Sequence, residues 1–428
     1  MKKTIISLVA APLLLASAAA AADKAADNGV EFKVGGQAVL YYNTVDKFGN
    51  ADLFDHAGNS KASAGLKMHA AADLGAGFAT YGEVNVLSSL GLEKNVVGDM
   101  MQWGKAGKTN SAYVSQLYVT KTMGKTTLKL GRQELPKSLS PFAYSEGWNV
   151  FKNTFDAALL VNSDIPLTTL VGAWVSGSNF NAPGAAMGEY GDLMGLVSGG
   201  AYMLTAAVKV PYFPITASYY HLSQIGGSAG APGGGASLGS ADVFWLNGQL
   251  DLGKDAPMGL CVAVQGGMMM EDIDANTFTE DTTAAGAKVG IKAGPAKIIG
   301  AVSYVSDGSL AIQNTGGVKT PLFTQTVLNQ VAIKQNAVSG LLKAVVGFGD
   351  AGKLIAMGTY TDLDDGAVNA AGGKSAGYNA YGDNLLDLEL LYKVKAGGIN
   401  WLAAYVFQDA DSKDDSNNLV RFVARYNF

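Results

Sequence analysis

Residues Asn418 to Phe428 read NLVRFVARYNF. Taken in steps of two, Val420, Phe422, Ala424, Tyr426 and Phe428 share one face, and Leu419, Arg421, Val423, Arg425 and Asn427 share the other. The first face is apolar up to the last residue of the sequence. A soluble sandwich turns such a face towards its core, but chain ends ordinarily fray into water. An aromatic side chain in the final position therefore points to the other apolar solvent, lipid.

Composition narrows the choice. A chain of 428 residues suits two ordinary domains or one large closed architecture. Hydrophobic residues make up 48% and charged residues only 16%, below the usual quarter for a soluble domain. Past position 22 no apolar run approaches the roughly 20 residues of a transmembrane helix. The remaining membrane solution is a β-barrel, whose alternating lipid and lumen faces keep mean hydropathy near neutral. The value here is +0.15.

Met1 to Lys24, MKKTIISLVAAPLLLASAAAAADK, combines two lysines, an apolar segment from Ile5 to Ala16 and small residues fit for an A-x-A cleavage site. Residues 1–22 thus read as a secretory signal peptide and 23–428 as one barrel domain. The apolar segment is too short to span a membrane, and Pro12 interrupts it. Of 31 basic residues, loss of Lys2 and Lys3 leaves 29 against 36 acidic, so the exported chain is acidic and nucleic acid is not expected as a partner. Cys261 is the single cysteine, which excludes an internal disulfide.

Alternation recurs along the chain. Val30 to Val45 sets Phe32, Val34, Ala38, Leu40 and Tyr42 against Glu31, Lys33, Gln37 and Tyr41. In NLLDLELLYKVK, Leu386, Leu388, Leu390, Tyr392 and Val394 oppose Asp387, Glu389 and Lys393. Short turns rich in Gly, Pro, Asp or Asn are expected at 74–77, 123–125, 162–166, 210–214, 252–257, 294–296, 349–352 and 395–398. Longer segments alternate with them near 46–58, 91–110, 134–153, 177–199, 223–240, 271–283, 307–329, 363–383 and 409–417. Eight turns and nine loops require eighteen strands, with sixteen as the alternative count. The expected fold is an all-β transmembrane antiparallel barrel with long outer loops and short inner turns.

The signal peptide, the alternating strands and a last strand ending in Tyr426-Asn427-Phe428 resemble Gram-negative outer-membrane porins. Phe422, Tyr426 and Phe428 are similar to the β-signal by which such proteins meet the outer-membrane barrel-assembly machinery. Ser115 to Ser138, with Gly131-Arg132-Gln133 at the top of a strand, resembles the epsilonproteobacterial major outer-membrane porins and their substrate-specific porin relatives. The resemblance implies an outer-membrane homotrimer among lipid and lipopolysaccharide. Its water-filled pores would pass ions and small hydrophilic solutes and be narrowed by an inward-folded loop. By position that is the third loop, Glu134 to Thr154, with Glu134, Lys137, Glu146 and Lys152 as candidate constriction groups.

Because Arg or Lys at the lipid midplane costs about 2 to 4 kcal/mol, charged wall residues belong in the lumen. Lys61, Lys67, His69, Glu83, Gln116, Asp387, Glu389, Lys393, Arg421 and Arg425 are assigned there. Arg132 joins them only if Gly131 sits in a bulge, since strict parity with Leu128 and Leu130 turns it outwards. Acidic excess suggests weak cation preference. Asp409, Asp411, Asp414 and Asp415, with the acidic stretches 271–281 and 362–365, offer oxygen ligands for a structural Ca²⁺ in the outer loops, though no EF-hand pattern is present. No other cofactor is expected. Three histidines, with no HExxH and no G-x-S-x-G, give no enzymatic signature. A substrate-specific channel, an adhesive or structural barrel, and a barrel hydrolase stand as the alternatives to a diffusion porin.

Overall fold

A computed structural model describes residues 30–56, 59–226, 236–250, 257–273, 280–363 and 380–428. The signal-peptide assignment, and with it residues 274–279 and 364–365 of the acidic stretches, lies outside the described residues.

Eighteen long strands follow one another among the described residues: β1 Glu31–Val45, β2 Lys61–Gly75, β3 Phe78–Ser88, β4 Asn110–Met123, β5 Thr126–Gln133, β6 Phe155–Asn162, β7 Thr168–Ser178, β8 Ala201–Val208, β9 Ile215–Ile225, β10 Gly239–Leu250, β11 Cys261–Ile273, β12 Thr282–Ala293, β13 Ala296–Val305, β14 Ala337–Gly347, β15 Lys353–Leu363, β16 Asn384–Ala396, β17 Ile399–Ala410 and β18 Asn417–Asn427. Each pairs antiparallel with its neighbours, and β18 returns to β1 with Tyr41 opposite Val423 and Leu40 opposite Ala424, so the sheet closes on itself. Closure leaves no unpaired edge, the condition for a sheet to sit in hydrocarbon. Phe428 completes the seam: its N–H donates to the Gly36 carbonyl at 3.1 Å and its carbonyl accepts from the Gly36 N–H at 2.8 Å.

The alternation read from the sequence is the alternation of the wall. Leu40, Leu117, Leu204, Leu246, Leu342, Leu388 and Phe422 stand on the outer surface, Leu342 with 65% of its surface open. Apolar exposure on this scale is an aggregation liability in water and costs nothing in lipid. Aromatic residues band both ends. Tyr202, Tyr304, Tyr360 and Tyr405 lie towards the long loops, and Tyr392, Trp401 and Tyr426 towards the short turns. The Tyr405 hydroxyl donates to Asn418 Oδ1 at 2.6 Å and Trp401 Nε1 to the Ala396 carbonyl at 3.3 Å. Their polar tips thus reach the interface while their rings stay in the apolar band.

The strand ends that bound the expected turns and loops lie within a few residues of where the sequence places them, with one correction; the turn at 252–256 and the loop residues 227–235 and 364–379 lie outside the described residues. The seventh loop does not end at 329 but runs from 306 to 336 before β14 begins. It is folded into the barrel, with Ile312, Leu322 and Ile333 buried. Together with Leu135 and Phe142 of the third loop and Leu193 and Val197 of the fourth, these side chains pack on Tyr220, Val243 and Trp245 of the inner wall. Phe142 meets Tyr220 and Trp245 edge-on, at centroid distances of 5.7 and 5.2 Å. This internal core packs along the inner wall of β6 to β13.

Candidate pore constriction

The third loop leaves β5 at Gln133 and crosses the lumen because both its ends and its middle are tied to other elements. Glu146 is the hub. Its carboxylate, 2% exposed, accepts from Trp148 Nε1 at 2.7 Å, from Asn314 Nδ2 at 2.9 Å and from the Lys319 N–H at 2.8 Å. Its carbonyl accepts from Asn181 Nδ2 of the fourth loop at 2.8 Å. Glu146 therefore staples three loops together and does not present its charge to the passage, a correction to its place among the constriction groups. Across the seam, Arg425 donates to the carbonyls of Val150, at 2.8 Å, and Asn149, while Arg421 lies 5.6 Å from the ring centres of both Tyr41 and Trp148.

The remaining residues read from the sequence divide into two walls. On β2 to β4 the charges alternate and neutralise one another. Lys67 sits 3.1 Å from Glu83 and 3.8 Å from Glu134, which also pairs with the exposed Lys152. Gln116 donates to Glu83 at 3.2 Å and accepts from the Glu134 N–H at 3.2 Å. His69 stacks on Tyr81 at 5.6 Å, and Lys61 pairs with Asp99 of the second loop.

On β14 to β18 the acids are held by neutral donors and the bases are not held by acids. Asp387 accepts from Gln408 at 2.9 Å and Thr359 at 3.3 Å, and Glu389 accepts from the Val327 N–H of the seventh loop. Lys343, Lys353, Lys393, Arg421 and Arg425 occupy inward positions of these strands. None of the five forms an ion pair among the described residues. Lys343 and Lys353 were missed in the sequence, although the exposed Leu342 beside Lys343 fixes its parity.

Arg132 stands apart. Gly131 has φ 120°, yet the register runs without a shift from Tyr118 opposite Gly131 to Leu117 opposite Arg132, so no bulge turns the side chain inwards. Arg132 shares the outer face of Leu117 and Leu130, where it binds Asp156 bidentately at 2.9 and 3.0 Å and lies 3.3 Å from the Tyr190 ring centre. It is no lumen residue. Asp409, Asp411, Asp414 and Asp415 are exposed in and beside the ninth loop, and no group of three His, Cys, Asp or Glu among the described residues is gathered for a metal. Phe422, Tyr426 and Phe428 all face outwards.

Lys137 of the third loop carries a pH dependence. Its ammonium donates to the Thr320 carbonyl at 3.1 Å. Enclosure within the barrel lowers its pKa to about 8, with Lys319 and Lys288 adding repulsion that the attraction of Glu146 offsets only in part. Lys137 is therefore charged below that value and neutral above it. Preference for anions over cations is expected to fall between pH 7 and pH 9, read from reversal potentials under a salt gradient. Lys137→Gln should start lower and stay flat across that range; a wild-type preference independent of pH would refute this.

No protein-family model matches the chain, and no curated protein sequence matches it. Among solved structures its fold is similar to Acinetobacter baumannii OccAB3, with a TM-score of 0.69 and 14% identity over 93% of this chain and 99% of that one. It is similar to Pseudomonas aeruginosa OccD3 (OpdP), with a TM-score of 0.68 and 12% identity over 93% and 91%. Pseudomonas aeruginosa OccK2 (OpdF), crystallised in complex with glucuronate, gives 0.67 and 12% over 93% and 96%. At these identities the likeness is one of fold, that of the Occ porin barrels.

Proposed function

We propose that this chain is an outer-membrane channel through which small organic anions diffuse passively, selective for them by charge. The observation that carries this reading is the row Lys343, Lys353, Lys393, Arg421 and Arg425 along one side of the lumen, five bases against the two carboxylates Asp387 and Glu389, with no ion pair among them in the described residues. Fixed charges on a pore wall raise the local concentration of counter-ions, and a low-dielectric surround strengthens the effect. The reading replaces the cation preference inferred from net charge. Many carboxylates stand on outer loops, at Asp46, Asp52, Asp307, Asp411, Asp414 and Asp415, while in the lumen Glu83 and Glu134 are paired with lysines and Asp387 and Glu389 are outnumbered by the five bases. The glucuronate complex of OccK2, a channel of the same fold carrying a sugar carboxylate, supports an organic-acid substrate. Assembly as a homotrimer by the barrel machinery, among lipid and lipopolysaccharide, belongs to the same proposal.

The test is a planar-bilayer recording under a salt gradient. An anion-selective reversal potential, with current steps in groups of three, is the expected result. Replacing Lys343 and Arg421 by Glu together should shift the potential towards cations, since each change reverses a charge on the passage wall. Glucuronate should enter channel-bearing liposomes faster than glucosamine of similar size. A cation-selective wild type would sink the proposal.

A further inference from the structure

Beside the passage, the third and seventh loops and the wall of β9 to β12 enclose a cavity of about 810 Å³. It exists because small residues occupy the wall: Thr216 and Ala263 leave room that larger inward side chains would fill. Three ammonium groups border it, Lys137, Lys288 and Lys319, and none has a carboxylate partner among the described residues. Lys137 and Lys288 instead face the rings of Tyr144, at 5.0 Å, and Phe323, at 4.3 Å. Glu146 also lines the cavity, with its oxygens held by Trp148, Asn314 and the Lys319 N–H, so three cations face one carboxylate and the space keeps a net positive charge.

A second, independent feature lies in the same wall. Gln265 is 6% exposed and lines the cavity, yet neither its Oε1 nor its Nε2 has a hydrogen-bond partner. A buried amide with both ends unmade is costly unless something else completes it. Neighbouring Asn247 stands directly opposite Gln265 in register, so two amides offer donors and acceptors side by side.

We infer that this cavity is a binding site for a small hydroxylated di- or tricarboxylate, held by the three lysines and read by Gln265 and Asn247. Three clustered cations against the single carboxylate of Glu146 still call for a ligand with more than one negative charge, and the amides match hydroxyl and carboxyl oxygens. The volume lies in the range of small-molecule sites and exceeds what an inorganic anion fills. The site rests on the anion reading above and deepens it: the open row draws organic acids in, and the cavity retains those of higher charge.

Single-channel recording of the full chain at pH 7 tests it, with citrate, acetate and inorganic phosphate as probes. Citrate should interrupt the current at a concentration at least about tenfold below acetate and below phosphate. Gln265→Leu, which removes no charge, and Lys288→Gln on a different strand should each weaken the citrate effect about tenfold, the size of one charge-assisted hydrogen bond. Each variant is first checked for heat-modifiable folding. Citrate and phosphate acting alike would mean charge screening and would overturn the site, as would a citrate effect untouched in both folded variants. An anion-selective channel without citrate interruptions defeats the cavity alone, whereas a cation-selective potential defeats the broader reading.

Discussion

Deletion of Phe428 is expected to lower the folded fraction in refolding experiments by about two orders of magnitude, or roughly 3 kcal/mol. Three losses add up. The two backbone hydrogen bonds to Gly36, at 2.8 and 3.1 Å, vanish, and with them the last rung of the ladder that closes β18 on β1. The aromatic ring that covers Gly36 is removed. A Cβ on Gly36 would lie 2.4 Å from the Phe428 Cζ, so the glycine is the space the ring occupies. The stack with Tyr426 at 6.3 Å also goes. Heat-modifiable migration in gels, with and without boiling, reads the folded fraction. Phe428→Leu keeps the backbone pairs and should recover most of it, while Gly36→Val should fail in the same direction as the deletion. Equal folding of the deletion and the wild type would show that closure does not depend on this residue.

Glu146→Ala should widen the channel. The carboxylate satisfies Trp148 Nε1, Asn314 Nδ2 and the Lys319 N–H, and each buried donor left unmade costs about 1 to 3 kcal/mol. That sum is lost where the third loop meets the seventh, so the two loops should loosen at this junction while the barrel stays closed. Conductance is expected to rise roughly two- to threefold with frequent flicker, because the narrowest cross-section sets it. Charge selectivity should fall as the wall moves away from the permeating ion. Glu146→Gln retains one acceptor oxygen but adds an unwanted donor among donors, and should fall between the two. A quiet channel of wild-type conductance in Glu146→Ala would remove the staple from the account.

Strand direction, turn positions and the lipid face were legible in the sequence because a wall with lipid on one side and water on the other imposes a period of two. Leu386, Leu388 and Leu390 against Asp387 and Glu389 show it in five residues. The inward fold of the seventh loop was not legible by that route, since periodicity reports strands only. Its signal was of another kind: Ile312, Leu322, Phe323, Val327 and Ile333 are too apolar for a loop bathed in water. The third loop was placed by order along the chain, but order could not distinguish Lys152, which is exposed, from Glu146, which is spent on holding loops together. Net charge has a similar limit. It counts carboxylates without saying on which side of the wall they stand. Arg132 was decided by register, a property of two strands that one strand's sequence does not contain.

Arg425 lies on the final strand, yet it grips Asn149 and Val150 of a loop laid down some 275 positions earlier. The narrowing of the passage is therefore a late event in the life of the chain. Until β18 zips against β1, the tip of the third loop has no anchor on that side, and the bore has no fixed width. Selectivity is in this sense a property of the finished ring: a barrel caught short of its last strand would have most of its wall and none of its discrimination.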